Sequence, residues 1–253
     1  MFKRAIVRTP GKSLVNGLTE ANLGIPDYQR ALSQHAAYIK ALEACGLEVS
    51  VLEADENFPD STFVEDVALL TPHCAIITRP GAPSRRGETD GISKLLEHFY
   101  DNIEIIEAPG TVEAGDIMMV GSHFYIGLSG RTNEAGARQV ISILEKYGMR
   151  ESVVSLEEVL HLKTGVTYLE NNNLLATGEF LAKAVFQPFH ILEIEPDEAY
   201  AANAIWVNGT VIVPEGYPKA RKMIEHAGYP VLALDMSEFQ KLDGGLSCLS
   251  LRF

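Results

Sequence analysis

At 253 residues, with 46% hydrophobic and 22% charged side chains, the chain is long enough to bury one substantial core and falls outside the disordered and fibrous classes. A formal net charge of -13 disfavours a nucleic acid or an anionic membrane as partner, because both reward clustered Lys and Arg; a cationic small molecule is compatible. No run approaches the ~20 apolar residues that span a bilayer, and Arg8 and Pro10 interrupt the first apolar run before a signal-peptide core can form. The three cysteines, Cys45, Cys74 and Cys248, are odd in number and far apart, so a disulfide framework is not expected. The chain reads as one cytoplasmic domain over residues 1–253.

In chain order, strand-like apolar runs alternate with amphipathic helical patterns. A strand at Arg4 to Arg8 precedes a helix at Tyr28 to Ala44 and a strand at Glu48 to Leu52. Asp66 to Arg79 forms a hairpin, with strands Val67 to Leu70 and Ala75 to Thr78 around Thr71, Pro72 and His73. It is followed by a helix at Thr89 to Phe99 and a strand at Ile103 to Ile106. Asp116 to Gly127 repeats the hairpin around Gly121, Ser122 and His123, then a helix at Asn133 to Tyr147 and a strand at Val153 to Leu156. Asn203 to Pro214 turns at Asn208 and Gly209 and leads into Pro218 to His226 and Val231 to Leu234. A strand, strand, helix, strand unit recurring about every fifty residues predicts a modular α/β ring rather than a doubly wound sheet.

Near the end the chain reads Asp243-Gly244-Gly245-Leu246-Ser247-Cys248. Adjacent glycines permit backbone conformations denied to other residues and allow close approach to a ligand. Cys248 beyond such a kink is a candidate nucleophile, with a small buried hydrophobe as the alternative; Cys45 and Cys74 read as structural. His161, between apolar neighbours, is a candidate partner because imidazole can take and return a proton near neutrality. It can equally be a core histidine, and the other six histidines read as surface. Glu113 to Asp116 and Asp60 to Asp66 place carboxylates where hairpin strands begin. Such groups can hold a planar cation with several N–H donors, or satisfy local turn amides. Arg85, Arg86 and Arg131 follow loops, where a guanidinium can clamp a carboxylate or face solvent.

Five segments in order, Phe63-Val64-Glu65-Asp66, Arg85-Arg86-Gly87-Glu88, Glu113-Ala114-Gly115-Asp116, His161-Leu162-Lys163-Thr164 and Gly244-Gly245-Leu246-Ser247-Cys248, resemble the bacterial type of the dimethylarginine dimethylaminohydrolase family. That family belongs to the guanidino-group-modifying superfamily, with the arginine deiminases and amidinotransferases. The resemblance implies a pentein fold, a five-bladed α/β propeller of pseudo-repeated ββαβ units around a central channel. It implies Cys248 as nucleophile, His161 as general acid and base, and Glu113 as the carboxylate that holds the guanidinium. Asp66, with Glu65 beside it, would bind guanidinium nitrogens. Arg85 and Arg131 would take the substrate's α-carboxylate, and Asp60 with the backbone of Leu18 and Leu242 its α-amino group.

The implied reaction is hydrolysis of Nω-methylated arginine to citrulline and di- or monomethylamine through a covalent Cys-thiouronium, with no cofactor and no metal. The partner is a small cationic amino acid, and a homodimer is compatible with the sequence. Arginine deiminases resemble this chain at the histidine but carry an aspartate where Lys163 stands. A dimethylated nitrogen has no N–H for such a carboxylate, so Lys163 favours the methylated substrate. The rivals are an arginine or agmatine deiminase and, from another class, a non-catalytic pentein binding module.

Overall fold

The computed structural model describes residues 1–253. In chain order the elements are β1 (Arg4–Arg8), α1 (Tyr28–Ala44), β2 (Glu48–Leu52), β3 (Ala68–Leu70), β4 (Ala75–Ile77), α2 (Thr89–Leu96), β5 (Ile103–Ile105), β6 (Ile117–Val120), β7 (His123–Leu128), α3 (Glu134–Lys146) and β8 (Arg150–Ser155). They continue with α4 (Leu162–Gly165), β9 (Val166–Tyr168), β10 (Asn173–Ala176), β11 (His190–Glu193), β12 (Ile205–Val207), β13 (Thr210–Pro214), α5 (Pro218–His226), β14 (Val231–Leu234), α6 (Ser237–Gln240) and β15 (Leu251–Arg252). The strands form five three-stranded sheets, ordered β15-β1-β2, β3-β4-β5, β6-β7-β8, β9-β10-β11 and β12-β13-β14.

All five sheets are built alike. The middle strand pairs antiparallel with the strand listed before it and parallel with the one after. A hairpin can make the antiparallel pair, but a parallel pair needs a crossover. Helices α1, α2, α3 and α5 supply four of these crossovers, and two 3-10 turns, Gly178–Ala182 and Ala184–Phe186, supply the fifth. In the first sheet the antiparallel strand comes from the other end of the chain, where β15 pairs with β1.

By compactness the chain divides into residues 1–64 with 194–253, and residues 65–193. The first unit holds two of the sheets and a core that includes Leu14, Tyr38, Leu42, Ile212, Phe239 and Leu249. The second holds three sheets around two cores, one with Ile76, Phe124 and Val140, the other with Leu174, Phe180 and Phe186. Polar caps fix two of the helices, since Asp27 accepts from the Arg30 amide and Asn133 from the Gly136 amide, each at 2.8 Å.

Helices α1 and α5 have the bounds their periodicity predicts. Helix α2 stops at Leu96 rather than Phe99, because its last turn tightens: the amides of His98 and Phe99 bond to Leu95 and Leu96. The hairpin of β9 and β10 is absent from the sequence reading. Its loop carries no glycine and instead sets Glu170, Asn171 and Asn172 in the left-handed region, at φ of 68, 51 and 63°.

His35 corrects the reading of six surface histidines. It lies on the inner face of α1, 3% exposed, and its Nε2 has no hydrogen-bond partner. Burial pulls its pKa down from 6.5 to about 4. The folded protein therefore resists a proton that the unfolded chain accepts. Stability is whole above pH 6.5 and is lost as pH falls toward about 4, by on the order of 3 kcal/mol. In His35→Leu this decline should disappear, which urea midpoints at about pH 7 and about pH 5 would read directly. An equal drop in both proteins would assign the acid sensitivity to other groups.

Candidate active site

A short helical turn leads into the antiparallel strand of each sheet, and reactive or polar side chains gather at these turns. Asp66 lies in the turn Val64–Val67 before β3. Glu113 directly precedes the turn Ala114–Asp116 before β6, and His161 directly precedes α4 before β9. Asn203 follows the turn Pro196–Ala202 before β12, and Cys248 lies in the turn Ser247–Leu249 before β15. The five sheets thus offer one such position each, at wide sequence separation.

In the unit of residues 65–193, the structure brings His161, Glu113, Asp66, Arg85 and Arg131 into one network. His161 Nε2 lies 2.8 Å from Glu113 Oε2, and Glu113 has no exposed surface. The other oxygen, Oε1, accepts from the Ala82 amide at 3.2 Å and from Arg131 Nη1 at 3.4 Å. Asp66 accepts from the Gly115 amide at 3.1 Å and from Arg85 Nη1 at 2.6 Å. Arg85, itself buried, also grips Glu88 through Nε and Nη2. Gly115 must be a glycine: a Cβ there would sit 2.8 Å from Asp66 Oδ1 and 3.0 Å from His161 Nδ1.

This arrangement sets the protonation of the pair. Burial pulls the His161 pKa down, but the charge of Asp66, the hydrogen bond to Glu113 and the charge of Asp116 together outweigh it and carry the imidazole up to about 9. Burial pushes Glu113 up, yet its bond to His161 and the charges of His161, Arg85 and Arg131 hold it well below the usual carboxylate range. The neutral-pH state is imidazolium against carboxylate. The stability this histidine lends is present below pH 6.5 and lost as pH rises through about 9. Asp66, Glu113 and His161 could each turn one atom toward a metal, within 4.8 Å of one another. Arg85 already supplies a cation on Asp66, as His161 does on Glu113.

Glu65 pairs with Lys163, Oε1 to Nζ, at 2.7 Å. The loop leading to His161 is held by Glu179, which accepts from the amides of Glu157 and Glu158 and is neutralised by Lys183 at 2.8 Å.

In the unit of residues 1–64 and 194–253, Asp60, Leu18 and Leu242 converge. The Leu18 amide donates to Asp60 Oδ1 at 2.9 Å, and a Cβ on Gly17 would meet both that oxygen and Leu242. Cys248 is partly buried and not in a disulfide, and its Sγ accepts from the Gly245 amide at 3.4 Å. The paired glycines serve differently from the sequence reading. Neither has a positive φ, whereas Asp243 does, at 56°. They are glycines because a Cβ would come within 2.3 Å of the Phe63 ring at Gly244 and 2.4 Å of Asn203 at Gly245.

Several contributors escape the sequence reading. Asn203 accepts from the Ser247 amide at 2.9 Å and donates to its hydroxyl at 3.2 Å, and Tyr200 donates to the Gly244 carbonyl. Nothing local in sequence marks these two. Glu88 does carry a signal, its i,i+3 spacing from Arg85.

Residues 26–185 match the family profile described as N,N dimethylarginine dimethylhydrolase, eukaryotic. The chain is 62% identical to the N(G),N(G)-dimethylarginine dimethylaminohydrolase of Pseudomonas aeruginosa over 100% of both chains. It is 34% identical to the Streptomyces coelicolor protein of the same name, over 99% of this chain and 96% of that one. A crystal structure of the P. aeruginosa protein, a cysteine-to-serine mutant complexed with citrulline, superposes with a TM-score of 0.99 at 62% identity over the whole of both chains. The N-terminal domain of a cyanobacterial arginine dihydrolase reaches 0.90 at 19% identity, covering 100% of this chain and 97% of that one, a likeness of fold alone.

Five like sheets and a buried histidine with its carboxylates define a hydrolase of the pentein fold. More narrowly, the chain belongs to the dimethylarginine dimethylaminohydrolase family.

Replacing Glu113 by Gln removes one of the charges that hold His161 protonated. The imidazole should then titrate well below about 9, as followed by NMR of isotopically labelled histidine. An unchanged titration would show that Glu113 does not govern it.

Proposed function

We propose that this protein hydrolyses Nω-methylated arginine to citrulline and a methylamine, with Cys248, His161 and Glu113 as catalytic residues. The observation that carries the assignment is the buried His161 and Glu113 pair, a protonated acid held ready within a cluster that also contains Asp66.

In this reading the Cys248 thiolate attacks the guanidinium carbon and a C–S bond forms. His161 Nε2 is held by Glu113, so Nδ1 delivers the proton. That proton turns the dimethylated nitrogen into a neutral amine, which leaves as the C–N bond breaks. A thiouronium remains on Cys248. The now neutral His161 takes a proton from water, the hydroxide adds to the same carbon, and the C–S bond breaks to give citrulline and the thiolate as the remaining hydroxyl proton passes out to solvent, where the released amine takes it up. Glu113 and Asp66 receive the guanidinium N–H groups, with Glu65 beside them. Arg131 and Arg85 take the α-carboxylate, Arg85 held rigid by Asp66 and Glu88. Asp60 and the backbone of Leu18 and Leu242 take the α-amino group. Residues 1–253 work as one catalytic domain, and no metal is required, since Arg85 already supplies a cation on Asp66, and His161 and Arg131 supply cations on Glu113.

The choice of the methylated substrate over arginine rests on Lys163. Its ammonium is drawn to Glu65 at 2.7 Å, so two residues beyond His161 the chain offers a cation where a deiminase offers a carboxylate. A methylated nitrogen lacks the N–H donors that such a carboxylate would need.

Citrulline release from asymmetric dimethylarginine and from arginine, measured side by side, tests the assignment. Release should come chiefly from the methylated substrate. It should vanish in Cys248→Ser and fall by roughly 10²–10⁴-fold in His161→Gln. Activity should decline above pH about 9 as the acid is lost and survive exhaustive chelation. Faster release from arginine would overturn the substrate assignment, and loss of activity on chelation the metal-free mechanism.

A further inference from the structure

Asp116 belongs to none of the roles above, yet it is fully buried and bonded toward three of the segments that carry them. Its Oδ1 accepts from the amide of Leu162, the residue after His161, at 3.0 Å. Its Oδ2 lies 2.7 Å from Ser129 Oγ. That hydroxyl already accepts from the amides of Arg131 at 2.9 Å and Thr132 at 3.1 Å, so its own hydrogen goes to Asp116. Thr132 also bonds to Asp116, and its hydroxyl accepts from the Glu113 amide at 3.1 Å. Burial pushes the Asp116 carboxyl up, while the charge of His161 and the bonds from Thr132, Ser129 and Leu162 favour its ionised form; both carboxylate oxygens face donors, which is the bonding of an ionised acid.

We propose that Asp116 is the positioning residue of this site, one buried carboxylate that fixes the backbone around His161, Arg131 and Glu113 and adds a negative charge near the imidazole. The proposal rests on the reading of His161 as the proton carrier. A buried polar hub with every bond made is rigid, and loss of one partner strands the others. Asp116 also does what Glu113 cannot. Glu113 bonds the imidazole itself, whereas Asp116 holds the peptide from which the imidazole springs. The charged groups that act on His161 are Asp66, Glu113 and Asp116, with Arg85 and Arg131 set against the first two. Lys163, two residues on, is engaged by Glu65.

Asp116→Asn removes the charge while its amide oxygen can still accept from Leu162, although its NH2 group cannot accept the Ser129 hydrogen. In this variant the His161 titration, followed by NMR, should move down by roughly one pH unit or more. The alkaline limb of kcat should move with it, and kcat should fall about tenfold or more. Ser129→Ala leaves the carboxylate and its bond to Leu162 in place but releases the Arg131 amide. It should raise KM for methylarginine several-fold, with a smaller effect on kcat, and it serves as the test if Asp116→Asn does not fold. An unmoved His161 titration in Asp116→Asn, or an unchanged KM in Ser129→Ala, would overturn the proposal. A titration that moves while the kcat limb stays would uphold Asp116 and remove His161 as the proton carrier.

Discussion

A carboxylate with no exposed surface needs a cation and hydrogen bonds at hand, or it does not stay charged. Glu113 is such a carboxylate, and much of the unit of residues 65–193 can be read as its support. His161 and Arg131 neutralise it, the Ala82 amide takes part of its remaining capacity, and Gly115 clears the space in which the imidazole lies. The charge of Asp66, the bond to Glu113 and the charge of Asp116 keep His161 protonated at neutral pH, so the electrostatics that permit burial also hold a proton on the imidazole. Removing one partner leaves a stranded buried charge, and this couples the stability of the unit to its chemistry.

The repeated sheet explains how so few residues suffice. Each sheet ends a short helical turn at the start of its antiparallel strand, and the backbone there is irregular enough to aim a side chain yet fixed by the pairing that follows. Asp66, Glu113, His161, Asn203 and Cys248 occupy that place in the five sheets. A fold of unlike elements would need a separate device for each. Here one device recurs and only the side chain changes. Asn203 differs from the rest in bracing a neighbouring turn, the one that carries Cys248, through Ser247.

Stability is spread unevenly in the same terms. His35 sits in a well-packed core with an unanswered ring nitrogen, and burial alone governs its proton. His161 is as deeply placed but surrounded by acids, and its proton is held rather than refused. Two buried histidines thus titrate on opposite sides of neutrality, a difference made by neighbours and not by depth.

The sequence by itself determined the repeating strand and helix pattern, because hydrophobic periodicity is local. It set α1 and α5 to the residue and marked three hairpins by their turns. It also carried ordered motifs that resemble one family, to which the chain belongs. Only the tertiary structure decided that β15 completes the first sheet, since pairing between the two ends of a chain leaves no local trace. The glycine-free hairpin of β9 and β10, the burial of His35, and the steric reason for Gly244 and Gly245 were likewise invisible. The union of Glu113 with His161, and the bonds of Asp116 to Leu162 and Ser129, join residues whose neighbours in sequence say nothing of each other. Charge balance in a buried cluster is a property of distances, and distances between remote residues are set by how the sheets fold.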